Sequence, residues 1–238
     1  MTVHFFKFAC TAVLTATLMA ACGGGGGDPP ATVSPPVDMT FALQAGYQAR
    51  VVSGATNDFT VVAGNCNGTA RISTAAATPS TFETVPGVSS AQVSTLNFTN
   101  CAPATTTVTG TTYYNATFVP IGSSVVGGEG AKFSVLPTDL PASVKVGQTG
   151  TFATLTTYTD STFNVPTGKR VLSYEIKADT ATTAITNIVT RSYDQVNLLA
   201  TETLTYRMAE NGTLTLTLFD VQFSTTSTLH LVYTPTPK

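Results

Sequence analysis

From Met39 onward nearly every segment of the chain follows the two-residue period of a β-strand, and threonine fills much of its polar half. That alternation is the strongest constraint on the fold. Leu214, Leu216 and Leu218 face one way, and Thr213, Thr215 and Thr217 face the other. The phase then slips, so that Phe219, Val221 and Phe223 alternate with Asp220, Gln222 and Ser224. A strand cannot exchange its buried face without an extra residue, so a bulge or bend near Leu218-Phe219 is predicted. Leu172, Tyr174 and Ile176 likewise oppose Ser173, Glu175 and Lys177. No segment sustains a helical period. Charged residues make up 10% of the chain, against roughly 25% in an average soluble protein. Threonine takes their place, at about one residue in five.

Strands are predicted over 41–52 (a pair, or one long bent strand), 58–64, 69–74, 81–85, 91–98 and 106–118. Asn67-Gly68 is a hairpin signal, because both residues tolerate positive φ. Residues 120–141 are punctuated by Gly122, Gly127, Gly128, Gly130, Pro137 and Pro141, which predicts a boundary. Six further strands follow, over 151–158, 170–177, 182–193, 199–208, 213–223 and 228–233, with a hairpin at Asn211-Gly212. The expected fold is all-β and antiparallel. A sandwich-like module over 39–122 and a linker over 123–142 precede a six-stranded curved meander or partial barrel over 143–238.

The N-terminal segment is of a different kind. Lys7 precedes a short run from Phe8 to Ala21 that is apolar apart from three threonines. This is too short to span a bilayer, which takes ~20 residues, and it fits an export signal. The ending Leu18-Met19-Ala20-Ala21-Cys22, followed by Gly23 to Gly27, resembles the lipobox and polyglycine start of Gram-negative bacterial lipoproteins. Met19 stands where leucine is commonest in that family. The resemblance implies a signal peptide over 1–21, palmitate or similar acyl chains on Cys22, and a Gly/Pro tether over 22–38. It also implies an anchor in the membrane, the outer one by the lack of aspartate at Gly23, facing the periplasm or the cell surface. Two or more chains would hold the protein stably. The tether would reach roughly 50 Å fully stretched and ~20 Å as a coil.

With Cys10 in the signal and Cys22 acylated, Cys66 and Cys101 remain. In an oxidising compartment they most simply form one disulfide. A four-ligand zinc site would need carboxylates to complete it, and no cofactor is expected. The net charge of −2 carries no footprint for nucleic acid.

No catalytic set is legible. His230 alternates with Leu229 and Leu231, which reads as a polar-face strand residue, and no nucleophile elbow is present. Asp139, Asp160, Asp179, Asp194, Glu210 and Asp220 fall mainly at predicted turns, where aspartate satisfies backbone N–H groups. Lys169-Arg170 reads as a solvated turn. The tyrosines, among them Tyr113, Tyr114, Tyr174, Tyr206 and Tyr233, line a groove or simply pack across strands. The expectation is therefore a non-catalytic binding or structural lipoprotein of the envelope, with an envelope protein or glycan as partner. The alternative is a carrier whose curved sheet holds a lipid or other apolar ligand against Leu214, Leu216, Phe219 and Phe223. An envelope hydrolase ranks third.

Overall fold

A computed structural model describes residues 39–224 and 229–236, with Leu229 and His230 in backbone only. The signal peptide, Cys22 and the tether lie outside the described residues. Thirteen strands form one antiparallel sheet. They are β1 (Ala55–Ala63), β2 (Cys66–Thr74), β3 (Thr78–Phe82), β4 (Val85–Phe98), β5 (Thr105–Asn115), β6 (Pro120–Val125), β7 (Gly130–Phe133), β8 (Thr149–Tyr158), β9 (Pro166–Ala178), β10 (Thr183–Tyr193), β11 (Leu198–Ala209), β12 (Leu214–Phe223) and β13 (Leu229–Pro235).

The sheet closes on itself. β1 pairs with β13, and β2 pairs with both β1 and β4. Twelve strands therefore form a closed antiparallel barrel, with β3 paired to the free end of the long β4. This overturns the expected sandwich-like module followed by a six-stranded partial barrel. Two features join the halves. The first half's β1 receives the chain's last strand along Phe59–Pro235 to Ala63–Leu231. The stretch expected as a linker carries β7 and the end of β6, which bond β5 on one side and β8 on the other. Glycine and proline there mark short strands of the wall rather than a domain boundary. Closure removes every barrel edge, which an open six-stranded sheet would leave exposed to aggregation.

The alternation sorts residues as the pattern implies. Leu172, Tyr174 and Ile176 share the inner face with Leu204, Tyr206 and Met208, whereas Ser173, Glu175 and Lys177 face out. The register between β11 and β12 shifts where Thr205 pairs with Leu218 and Tyr206 with Leu216, leaving Thr217 as the extra residue. That bulge is the device the phase slip required. It keeps Leu214, Leu216, Phe219, Val221 and Phe223 all inside and turns Leu218, expected on the face of Leu214 and Leu216, outward opposite Thr205. The first hairpin turns at Gly64-Asn65, and Asn67-Gly68 lies within β2. Cys66 thus starts a strand. It is joined to Cys101 in the β4–β5 turn with 5.7 Å between Cα atoms.

The expected strand over 41–52 is a helix, α1 (Leu43–Ser53). Leu43, Gly46, Tyr47, Arg50 and Val51 form its inward stripe at helical spacing. Glycine and arginine within that stripe hide the period from a hydropathy reading. An isolated helix of this length is marginal in water, and Ala42 supplies no side-chain cap. Tertiary contacts hold it instead. Phe41 and Val144 exchange two backbone hydrogen bonds, Ala42 N–H donates to Glu210 O, and Ala77 N–H donates to Val51 O. Those partners lie on connections spaced around one end of the barrel, so α1 covers that end as a plug. Phe41 and Leu43, at its start, are fully buried, each contributing about 2–3 kcal/mol.

Candidate functional site: the barrel lumen

An eight-stranded barrel is just filled by its own side chains. Twelve strands spaced ~4.8 Å apart and tilted ~40° give a backbone diameter of about 24 Å. Facing side chains cannot fill that width, and α1, ~10 Å across, occupies one end only. Exposure on the inner face agrees. The ladder places Gln92 and Val108 on the inside, on the same face as Leu96 and Ile72. Both are nevertheless exposed, Val108 by 38%. Glu202 pairs with Val221 on the inner face and is exposed too. Water therefore reaches the inside of the ring.

The lumen has two chemical regions. One wall is apolar, built by Leu172, Leu204, Leu216, Phe219 and Tyr233. A charged group sits among these rows. Arg170 donates from Nη2 to Glu129 Oε1 and lies 3.4 Å from Ser123 Oγ through Nη1. Alternation separates the pair expected as one solvated turn. Arg170 turns inward, and Lys169 lies on the outer face with its Nζ 5.3 Å from the Tyr193 ring centre. Protein around Glu202 pushes its carboxyl above the usual range, against the pull of Arg170 and with added repulsion from Glu129. Burial, then Glu202, pushes the Tyr233 phenol up to about 12.

The sign of the Glu202 effect follows directly. A carboxyl whose folded value is raised adds no penalty below the unfolded range and loses stability as pH rises through the folded value. Glu202→Gln should therefore melt higher than the parent at pH 8 and level with it at pH 4, read by calorimetry. Equal shifts at both values would contradict an ionised carboxylate held in the lumen. Asp179 and Asp194 act with the opposite sign in both proteins. Arg207 and Thr183 hold Asp179 low, and the Asn197 and Val196 N–H groups hold Asp194 low.

Other predicted residues are placed apart from this group. Asp160 and Asp194 accept hydrogen bonds from N–H groups of their own turns, as expected of turn aspartates. Asp139 accepts from Thr117 Oγ1, and Asp220 lies within β12. His230 pairs with Gln222 in the β12–β13 ladder. Tyr113 stacks outside the barrel on Phe82 at 4.4 Å, whereas Tyr114, Tyr174, Tyr206 and Tyr233 point inward. Glu129, Glu202 and Arg50 were not singled out by sequence. Glu202 did leave a signal, since it interrupts the row Ala200, Leu204, Tyr206, Met208 at even spacing.

The outer face carries threonines and ion pairs, among them Asp58–Arg71 at 2.8 Å and Asp179–Arg207 at 2.7 Å. A barrel embedded in lipid presents an outward apolar band about 25 Å tall. Here the apolar rows face inward. Among the described residues no helix is long and apolar enough to cross a membrane. Two shallow outer depressions are lined by Thr182, Thr183 and Glu210, and by Ser173, Val189 and Arg191. No protein-family model matches the chain, and no curated protein or solved structure is significantly similar to it.

Proposed function

We propose that this protein is a lipid-anchored, non-catalytic binding protein of the bacterial envelope that carries an apolar or amphiphilic ligand inside its barrel. The observation that carries this reading is the water-accessible lumen with an apolar wall, marked by exposed Val108 and Glu202 on the inner face. Leu214, Leu216, Phe219 and Phe223, singled out as the lining of a carrier, all lie on that face. The polar outside supports a barrel held beside a membrane by acyl chains on Cys22 rather than one inserted in it. The described chain enters at the plugged end, through Phe41 against Val144. Ligand therefore reaches the lumen from the end opposite the plug.

Mass spectrometry of the native protein under gentle conditions tests both halves. The expected result is an acylated N-terminal Cys22 and a small apolar molecule that dissociates on unfolding. An unmodified thiol would overturn the anchor. The variant Val108→Trp tests the lumen separately. Its indole has open space to enter, so the melting temperature should hold within a few degrees while ligand occupancy falls. Undiminished occupancy would place the ligand elsewhere.

A further inference from the structure

The plug carries a cation of its own. Arg71, Arg170 and Arg207 each grip a carboxylate, and Arg191 lies in the field of Glu175. Arg50 has no carboxylate partner among the described residues. It belongs to the inward stripe of α1, half-buried, with its guanidinium carbon 5.0 Å from the ring centre of Tyr206. Tyr206 is 2% exposed on the inner face of β11. Tyr47 on the same helical stripe and Tyr114 on the inner face of β5 complete the surroundings.

A half-buried cation without a counter-charge loses part of its hydration. One aromatic face makes up for that loss only in part. The neighbouring phenols supply no negative charge. Burial pushes Tyr114 up to about 12 and Tyr47 well above its ordinary value. Burial raises Tyr206 as well, held back by the charge and hydrogen bonding of Arg50. All three stay protonated at neutral pH and can donate. A guanidinium on a phenol face, with two further protonated phenols in its field, suits an oxyanion, and charge-assisted hydrogen bonds are the strong kind.

We infer that Arg50, with the hydroxyls of Tyr47, Tyr114 and Tyr206, binds the anionic head of an amphiphile whose alkyl tail lies along the apolar wall of the lumen. This rests on the luminal reading above and names its ligand class: an oxyanion head on a hydrocarbon chain, either a carboxylate or a phosphate monoester. The head sits at the plugged end and the tail points towards the far mouth. Leu172, Leu204 and Phe219 flank its path. The Arg170–Glu129 pair is already matched and does not compete for the anion.

The test is calorimetric titration of octanoate, octyl phosphate and octanol into the full chain held in phosphatidylcholine nanodiscs, with empty nanodiscs as the blank. Both anions should bind about tenfold or more tightly than octanol, as a charge-assisted hydrogen bond implies. Arg50→Gln should bring octanoate to the level of octanol while leaving octanol unchanged. Arg50→Lys, which keeps the charge, should restore part of the preference. The relative affinity of octanoate and octyl phosphate tells the two head groups apart. Octanol binding with no preference for either anion would overturn the Arg50 site and leave the luminal carrier standing. Failure of all three to bind would overturn both. Unchanged octanol binding in Arg50→Gln also reports that the variant is folded.

Discussion

Gly46→Val should drive α1 out of the end of the barrel and lower the melting temperature by about 10 °C or more. A Cβ at Gly46 would lie 1.9 Å from the backbone oxygen of Gly212, and no rotamer choice can move a backbone oxygen. Gly212 cannot retreat easily. It holds φ +87° and hydrogen-bonds Ala209 O in the β11–β12 turn, and a Cβ on Gly212 would in turn meet Ala42 O at 2.3 Å. Helix and turn are therefore packed backbone to backbone. Releasing the plug exposes Phe41, Leu43 and Val51, a loss of about 5–8 kcal/mol. At about 2–4 °C per kcal/mol for a domain of this size, the shift is readily measured. Ala45→Val is the control, because Ala45 lies on the solvent face of the same helix and valine there costs helix propensity, whereas valine in place of glycine does not. Calorimetry together with the near-ultraviolet signal of Tyr47 and Tyr206 reads both variants. Equal effects would mean that seating against Gly212 does not set the stability of the plug.

Replacing both cysteines, Cys66→Ser with Cys101→Ser, should destabilise the protein by about 3–4 kcal/mol for the loop the bridge closes. The sequence separation is 35 residues. The place of the bridge sharpens the expectation. It ties the first residue of β2 to the β4–β5 turn, beside the β2–β4 seam that completes the ring. Asn100 reinforces the same corner, accepting from Asn67 N–H at 2.8 Å and donating to Asn65 O at 2.7 Å. Without the bridge the barrel should open first along that seam. The urea midpoint should fall by about 1.5 M. Hydrogen exchange should quicken in β2 and the second half of β4 before it does in β9 to β11. An unchanged midpoint would mean that the unfolded chain gains nothing from the cut, and that the seam is held by its ladder alone.

Much of the wall was legible one strand at a time. Side-chain alternation is a local property. Leu172, Tyr174 and Ile176 therefore declared their face, and the slip at Leu218-Phe219 declared the bulge at Thr217. The two remaining cysteines named each other because few were left to pair. Closure was not legible. The β1–β13 and β2–β4 ladders are made of backbone N–H and C=O groups, which every residue carries alike, so nothing in the side chains of Val61 or Tyr233 announces the other. The glycines and prolines around residues 120–141 misled for a related reason. The same residues that end a domain also allow short strands and tight turns within a wall.

Arg50 and Glu202 show where a site escapes a reading of the chain. Each stands where a strand or helix period calls for an apolar side chain. Whether such an intrusion is surface, error or function depends on what faces it across the fold. The amino-acid order alone determined that this protein is built of antiparallel strands with one greasy and one hydroxyl-rich face, because pleat and side-chain period are set residue by residue. Only the tertiary structure decided that those faces wrap into a ring too wide to fill, stoppered at one end by a helix. Ring closure depends on pairing between distant segments, and the helix is stabilised by the cavity it covers rather than by its own composition.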